Sequence, residues 1–380
     1  MNISLYSRFA LTALVLGASC LPMAAQASKE PVAALRLDGK KIVVDPDIPS
    51  YNPAPPMTGE LNIVGSGGLR WQGRIDTLID LWCDIFHAAH PSVVIHKALY
   101  SSGSGFLALT EDDMQVGVST REPMPSDVVG FRNKDYKPLE IPVAGGSYSY
   151  DEGTPSIVVI VNHENPLKGM TLAQLDAVFS STRKRGYKED ITTWGQLGLT
   201  GDWANKPIHM YGLQQPDGIP NYLIKRVLLG GTIKSSLTEE HADAKMKGMD
   251  KLVKSVQEDR YGITYVNRYN ATGAWDINTP ILPNLKILGL SEDEKGPFSN
   301  GSYEDVMDRT YPLSRLIYLY ANQGPKKPVD PLAKEFIRVA LSKEGQEAVN
   351  RTVYMPLGWA MLRPSLEQMD AVKEQPDAPK

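Results

Sequence analysis

Residues Leu61 to Phe86 read LNIVGSGGLRWQGRIDTLIDLWCDIF. A short apolar run leads into the glycines of GSGG, which begins at Gly65, and apolar residues then recur three and four positions apart. These patterns predict a β-strand, a tight turn and an amphipathic α-helix. Glycines let a ligand approach the backbone, and the N–H groups at a helix start carry partial positive charge. The loop therefore suits an oxyanion, although many such glycines serve only the turn.

Two later loops also carry groups that suit an anion. The strand-like run at 92–100 is followed by SSGSG, which begins at Ser101, and a short strand near 114–118 is followed by STR, which ends at Arg121. A serine before a helix ordinarily caps the helix, but three serines exceed what one cap needs. Hydroxyls followed by a guanidinium suit an anion, and a surface turn explains them nearly as well.

The first 27 residues have the pattern of a secretory signal peptide. Arg8 supplies the positive start, an apolar run follows, and Ala25-Gln26-Ala27 matches a signal-peptidase site. A lipoprotein signal at Cys20 is the rival interpretation, but Gly17 stands where such signals favour leucine. We therefore expect a periplasmic protein that begins near Ser28 and has no lipid anchor.

The composition of the predicted mature chain excludes several classes of function. Of the 40 basic residues, removal of Arg8 leaves 39 against 44 acidic ones, a net charge of −5, and no long basic tract suggests a nucleic-acid binder. Cys83 would be the one remaining cysteine, so no internal disulfide can form, and its position predicts a small core residue. No later stretch approaches the ~20 apolar residues of a membrane span.

Hydrolytic chemistry has little support in the sequence. The six histidines, at positions 87, 90, 96, 163, 209 and 241, are mostly scattered. His87 and His90 share a predicted helix, but the pattern is not that of a zinc protease, so we predict a surface pair without metal. The chain has no Gly-x-Ser-x-Gly nucleophile elbow. A binding protein without metal or cofactor is the prediction, rather than an enzyme.

Two apolar, β-branched runs suggest how the chain is divided. SIVVIV at 156–161 and GITYV at 262–266 read as strands buried on both faces, and we take them as the two crossings between lobes. Prolines before Gly59 predict an extended arm. The predicted domains are a signal peptide at 1–27, a proline-rich arm at 28–58, lobe I at 59–155 and 267–365, lobe II at 156–266, and a polar tail at 366–380.

The order of these motifs resembles that of the phosphate-type periplasmic solute-binding proteins of bacterial ABC transporters. The motifs are GSGGL, SSGSG, GVSTR, IVVIVN, TLAQLDAVF, YGITYV, YPLSRLIYLY and GQEAVNRTVYMPL, and the resemblance covers 59–359. It implies a two-lobed α/β fold of the periplasmic-binding-protein type (type II-like), in which each lobe is a mixed sheet flanked by helices and two crossover strands join the lobes. It also implies a protein that closes on its ligand and delivers it to an inner-membrane permease. We expect the protein to be a monomer.

The same resemblance places candidate anion-binding residues on four loops. They are Ser66, Gly68, Leu69 and Arg70; Ser101, Ser102 and Ser104; Ser119, Thr120 and Arg121; and Gln215, Asp217, Gly218 and Asn221. The fourth loop departs from the family, which has an arginine followed by Asp-Gly-Ser-Gly-Thr. Gln215 stands in place of that arginine, and Ile219, Pro220 and Asn221 replace the other three anion contacts. Proline has no N–H and isoleucine no hydroxyl, so the anion contacts of lobe II are altered. Arg70, Arg121 or Arg315 could compensate.

The leading expectation is an exported protein that captures phosphate or a related oxyanion in an interlobe cleft for ABC-type uptake. The altered fourth loop leaves open a different ligand, such as an organophosphate or a larger polar molecule. Two further alternatives are a secreted phosphohydrolase and a structural or interaction role in the envelope.

Overall fold

The structure is a computed structural model that describes residues 42–67, 74–112, 114–149, 153–215, 217–274, 276 and 278–370. The strands of this part are β1 (Thr58–Ser66), β2 (Ser92–Tyr100), β3 (Val116–Ser119), β4 (Lys137–Gly145), β5 (Ile157–Asn162), β6 (Gly169–Thr171), β7 (His209–Leu213), β8 (Thr238–Glu240), β9 (Gly262–Asn267), β10 (Leu285–Ile287), β11 (Gly289–Ser291) and β12 (Leu316–Gln323). The helices are α1 (Arg74–Ala89), α2 (Ser102–Glu111), α3 (Pro125–Val128), α4 (Leu172–Phe179), α5 (Gly218–Arg226), α6 (Gly248–Glu258), α7 (Arg268–Thr272), α8 (Tyr303–Met307), α9 (Pro331–Ala340), α10 (Lys343–Val349) and α11 (Trp359–Asp370). The predicted signal peptide lies outside the described residues.

Lobe I is built on a mixed sheet in the order β2-β1-β3-β12-β4. β1 is parallel to β2 and β3, whereas β12 is antiparallel to β3 and β4. The apolar face of α1, including Trp82 and Phe86, is buried in a core with the sheet, α9 and α10. On the opposite face, Phe106 and Leu109 of α2 pack against tyrosines of β12. The predicted strand and helix of the opening stretch are therefore confirmed.

Close packing of strands explains two of the glycines at the end of β1. Gly65 has a φ of +147°, and a Cβ there would lie 2.1 Å from the carbonyl oxygen of Val118 on β3. A Cβ on Gly67 would lie 2.4 Å from the carbonyl oxygen of Leu99 on β2. Both glycines are required by the close approach of neighbouring strands. Because β1, β2 and β3 are parallel, the loops that follow them meet at one edge of the sheet.

Lobe II contains a second mixed sheet in the order β10-β5-β9-β7-β8. β7 is parallel to β8 and β9, and β5 is antiparallel to β9 and β10. Every residue of β5 and β9 is buried, which agrees with the apolar runs that predicted them. The helices α4, α5 and α6 contribute buried apolar residues to the same core. The fold is thus the predicted α/β type, with a mixed sheet flanked by helices in each of two lobes.

The predicted return crossing at 262–266 is wrong, and so are the lobe limits drawn from it. After β9 the chain stays in lobe II, because β10 pairs with β5 and β11 pairs with β6. Val306, Tyr311 and Leu313 then join the core of lobe II, and the chain re-enters the lobe I sheet at β12. The two connecting segments lie side by side, since Gly146 donates its N–H to the carbonyl oxygen of Arg315 at 2.9 Å.

Both ends of the described chain are more closely packed than the sequence suggests. Ile48, in the predicted arm, is 2% exposed and lies in the core of lobe I, so the packed part begins before Gly59. The predicted tail at 366–380 is wrong at its start, because α11 continues to Asp370 and buries Met369. Residues 28–41 and 371–380 lie outside the described residues.

Candidate functional site

Three hydroxyl groups meet where β1 and β3 end and α2 begins. The Oγ atoms of Ser66 and Ser102 are 2.6 Å apart, and Ser66 Oγ is 3.2 Å from Thr120 Oγ1. The backbone N–H of Thr120 donates to the same two serine oxygens, at 3.1 and 3.3 Å. Ser66 and Ser102 are buried, whereas Thr120 is half-buried. We call these three residues the hydroxyl cluster.

The other serines of the second loop serve the helix itself. Ser101 is the N-cap of α2 and accepts a hydrogen bond from the N–H of Ser104, while the Ser104 hydroxyl donates to the carbonyl oxygen of Ser101. This capping box accounts for Ser101 and Ser104 without a ligand. Ser119 is also turned inward, because its hydroxyl donates to the carbonyl oxygen of Arg121 at 2.6 Å. Of these loop serines, only Ser102 joins the hydroxyl cluster.

Arg121 extends between helix starts of the two lobes. A Cβ on Gly103, in the first turn of α2, would lie 3.8 Å from Arg121 Nη2. A Cβ on Gly218, the first residue of α5 in lobe II, would lie 3.6 Å from Arg121 Cδ. The guanidinium is held by Asp127, whose carboxylate accepts from Nη1 at 2.6 Å and from Nη2 at 3.3 Å. Lobe I therefore places a fixed, partly exposed cation against lobe II, at the junction between the lobes that we call the cleft.

The fourth loop contributes fewer groups to the candidate anion site than its position in the sequence suggests. Asp217 is the N-cap of α5 and accepts from the N–H of Ile219, so its exposed carboxylate already serves the helix. Asn221 donates across the cleft to the carbonyl oxygens of Glu122 and Pro123, at 3.5 and 3.4 Å. Gln215 is exposed and lines a separate cavity beside Lys234. Gly218 is the residue of this loop that lies against the side chain of Arg121.

Only part of the first loop belongs to the described residues. Gly68, Leu69 and Arg70 lie outside the described residues, so their assignment stays a prediction. Ser66, which precedes them, belongs to the hydroxyl cluster.

Several buried polar groups lie beneath the cleft; the sequence prediction named Arg315 among them as a compensating cation but missed Glu122. Arg315 is 6% exposed, donates to the carbonyl oxygen of Thr120 at 3.4 Å, and lies 5.5 Å from the ring centre of Tyr222. Glu122 is 8% exposed and lies 3.5 Å from the hydroxyl of Tyr318. Burial, together with the charge of Glu122, raises the pKa of both Tyr222 and Tyr318, which keeps these phenols neutral. The position of Glu122 directly after STR was the available signal.

Arg309 lies at the two segments that connect the lobes. Its Nη1 donates to the carbonyl oxygen of Arg315 at 3.2 Å, and burial lowers its pKa to about 10. A Cβ on Gly145 would lie 1.1 Å from Arg309 Nη2, so only glycine leaves room for this side chain. Arg309 thus joins the end of β4 to the segment that leads into β12.

The predicted surface pair of histidines is wrong for one member. His90 is fully buried, where its Nδ1 accepts from the N–H of Met57 and its Nε2 lies 3.2 Å from the Tyr51 hydroxyl. Across the described ranges, no group of three or more His, Cys, Asp or Glu side chains could hold a metal ion. Cys83 is 8% exposed, and burial raises the pKa of its thiol to about 12, as expected for a core residue.

A comparison with protein families identifies the architecture. The model of the PBP superfamily domain matches residues 73–344, which is most of the chain. The chain belongs to the PBP superfamily. It is 33% identical over 315 residues to the phosphate-binding protein PstS of Pseudomonas aeruginosa, a match that covers 83% of this chain and 88% of that protein. As a PBP superfamily member with this similarity, the protein is a binding protein and not an enzyme.

More distant relatives also match most of the chain. Protein SphX of Synechococcus elongatus is 22% identical over 262 residues, which cover 69% of this chain and 68% of that protein. Among solved structures, an ABC-type phosphate transport receptor from Vibrio cholerae is 15% identical to this chain. The match covers 78% of this chain and all of the receptor, with a TM-score of 0.45. Within the described residues, no helix is long and apolar enough to cross a membrane.

Proposed function

We propose that the protein binds inorganic phosphate, or a closely related oxyanion, in the cleft between its lobes. The observation that carries the proposal is the hydroxyl cluster, which lies at the start of α2 in the same loop region as the cation of Arg121. Hydroxyls, helix-start N–H groups and a guanidinium are all donors, and an oxyanion accepts hydrogen bonds from each of them. The relatives named phosphate-binding protein PstS support phosphate as the anion.

The donors come mainly from lobe I, and Gly218 is the point at which lobe II meets them. At the start of α5 the N–H of Ile219 is already bound to Asp217 and Pro220 has no N–H, so Gly218 is the residue that would offer a backbone N–H to the anion. The dipole of this nine-residue helix also favours an anion at its N-terminal end. We infer that the anion is first held by lobe I and then covered by α5 when the lobes close. Asn221, through its bonds to Glu122 and Pro123, stabilises the closed arrangement.

We further propose that the protein is exported and serves an ABC transporter as a monomer. The signal-peptide pattern of the first 27 residues supports export to the periplasm. The motif order that resembles the solute-binding proteins of ABC transporters supports a membrane permease as partner. Detection of the chain in the periplasmic fraction, with a mature N-terminus near Ser28, tests the location. A full-length, membrane-bound product would contradict it.

Calorimetric titration of inorganic phosphate into the ligand-stripped mature chain tests the binding proposal. We expect saturable heat with a dissociation constant of about 1 μM or tighter, which corresponds to about 8 kcal/mol. Sulfate is the control for simple ionic attraction, because it has a similar size and shape. Absence of saturable binding to any tetrahedral oxyanion would contradict the proposal.

Replacement of Ser102 by alanine is expected to lower phosphate affinity about tenfold. The change removes a buried hydroxyl of the cluster, and a hydrogen bond to a charged group contributes about 1.5–3 kcal/mol. Titration calorimetry measures the effect. The matched control is Ser181→Ala. Ser181 is an exposed serine outside the hydroxyl cluster, and its hydroxyl donates to the carbonyl oxygen of Thr232. Equal affinities of the two variants would remove Ser102 from the site.

A further inference from the structure

A large cavity in lobe II borders the anion cleft. Its volume is about 1010 Å³, and its wall includes the carboxyl ends of β7, β8 and β9 and the start of α6. Ligands of α/β proteins commonly bind at this edge of parallel strands. Small-molecule pockets typically measure about 300–1,000 Å³, so the cavity has room for far more than one tetrahedral anion.

Asn267 gives this cavity an unsatisfied polar group. It is 9% exposed at the end of β9 and lines the cavity, and its Oδ1 has no hydrogen-bond partner among the described residues. Asn270, one turn along α7, lines the cavity too, and its buried Oδ1 has no partner in the same part of the chain. A buried amide oxygen without a partner is costly, so a ligand that donates hydrogen bonds would satisfy both.

The charges on the cavity wall favour a neutral, hydroxyl-rich group. The carboxylates of Asp217, Glu240 and Asp250 line the wall, and so do Lys247 and Lys254. With both signs present, a second charge on a ligand would meet repulsion as well as attraction. A hydroxyl group both donates and accepts, so it can bond to carboxylates, amides and lysines alike.

Two consecutive residues line the cavity and the anion cleft. Asp217 lines the cavity, and the next residue, Gly218, lies against the side chain of Arg121. Consecutive Cα atoms are about 3.8 Å apart, so the cavity and the anion cleft meet at the N-terminus of α5. The phosphate would lie at the hydroxyl cluster and Arg121, and its substituent would pass Asp217 into lobe II.

We propose that the cleft also binds phosphate monoesters of small polyols, with the polyol in the lobe II cavity. This inference rests on the proposed binding of phosphate at the hydroxyl cluster, and it extends the ligand class from the free anion to its esters. The replacement of the family's Ser-Gly-Thr contacts by Ile219, Pro220 and Asn221 leaves fewer lobe II donors around the anion. Contacts to the polyol supply binding energy from the same lobe.

Calorimetric titration of the mature chain with inorganic phosphate, glycerol 3-phosphate and glucose 6-phosphate tests this inference. We expect at least one ester to bind no more than tenfold more weakly than phosphate, while glycerol and glucose alone give no saturable heat. If phosphate binds and both esters bind more than tenfold more weakly than phosphate, the inference is overturned and the proposed function stands. If a folded protein binds neither phosphate nor esters, both fail.

Variants of the cavity wall provide the second readout. Asn267→Ala is expected to lower the affinity for the bound ester at least fivefold and to leave phosphate affinity within twofold. Asn270→Ala should act in the same direction, and it replaces Asn267→Ala if that variant does not fold. The control is Asn300→Ala, which changes an exposed asparagine outside the cavity. Equal losses for phosphate and ester in both wall variants would overturn the inference.

Discussion

Replacement of Arg121 by glutamine is expected to lower phosphate affinity by at least 100-fold. Arg121 is the cation held between the starts of α2 and α5, and Asp127 fixes its guanidinium with two hydrogen bonds. Each charge-assisted hydrogen bond contributes about 1.5–3 kcal/mol, and two such bonds to an anion give about 3–6 kcal/mol. The change would also leave the Asp127 carboxylate, which is 9% exposed, without its cation near the bound anion. Both effects act against binding.

Titration calorimetry of Arg121→Gln measures this loss, with two variants beside it. Arg260→Gln is the matched control, because Arg260 forms an exposed ion pair with Glu164 on lobe II, and we expect less than a twofold change. Asp127→Asn keeps the positive charge but loosens its orientation, so it should weaken binding less than Arg121→Gln does. A folded Arg121→Gln protein with unchanged phosphate affinity would show that another cation, such as Arg315, holds the anion.

Sequence patterns predict much of lobe I because its candidate site is built from local motifs. The strand, glycine and helix order fixes three loops that follow β1, β2 and β3, and parallel strands bring those loops to one edge. The hydroxyls of Ser66, Ser102 and Thr120 were therefore identifiable from their places after strands. The competing role for these serines was helix capping. The capping box between Ser101 and Ser104 shows that some of them do serve as caps.

Lobe II was harder to predict because its contacts depend on distant pairing. The run at 262–266 is buried on both faces, and that pattern is the same for a crossover strand and for a central strand of a sheet. β10 and β11 have three residues each, which is too short for a recognisable alternation of apolar and polar residues. The sequence therefore does not reveal that the chain stays in lobe II between β9 and β12. The cross-lobe bonds of Asn221 and the separate position of Gln215 follow from how α5 packs, which no local motif encodes.

Residues 42–57 of the predicted arm, in which no strand or helix is described, show how a polar cluster can fix such a segment. Glu335 on α9 is 3% exposed, and its Oε1 accepts from the Tyr51 hydroxyl at 2.7 Å and from the N–H of Ala54 at 2.9 Å. Its Oε2 accepts from Arg338 at 3.0 Å, and His90 lies 3.5 Å from Oε1. The carboxylate thus connects the arm to α9 and to the end of α1.

Replacement of Glu335 by glutamine is expected to lower the free energy of unfolding by about 3 kcal/mol. Glutamine keeps one acceptor oxygen, but its NH₂ group must face either Arg338 or the donors of the arm, which leaves a buried donor without an acceptor. Urea denaturation followed by tryptophan fluorescence measures the loss. Glu367→Gln is the matched control, because Glu367 is 66% exposed and pairs with Arg363 on α11, where surface ion pairs contribute little.

The effect of Glu335→Gln should depend on pH in one direction. Burial acts to raise the pKa of Glu335, but the hydrogen bonds from Ala54 and Tyr51 and the charge of Arg338 outweigh it, so the pKa lies below the ordinary value of 4.5. A carboxylate with a lowered pKa stabilises the folded state fully above that ordinary value and loses its contribution as the pH falls through the folded pKa. The difference in unfolding free energy between wild type and Glu335→Gln should therefore be constant near neutral pH and shrink below about pH 4. A difference that grew on acidification would show that the carboxyl is protonated in the native arm, and that its hydrogen bonds rather than its charge hold Tyr51 and Ala54 in place.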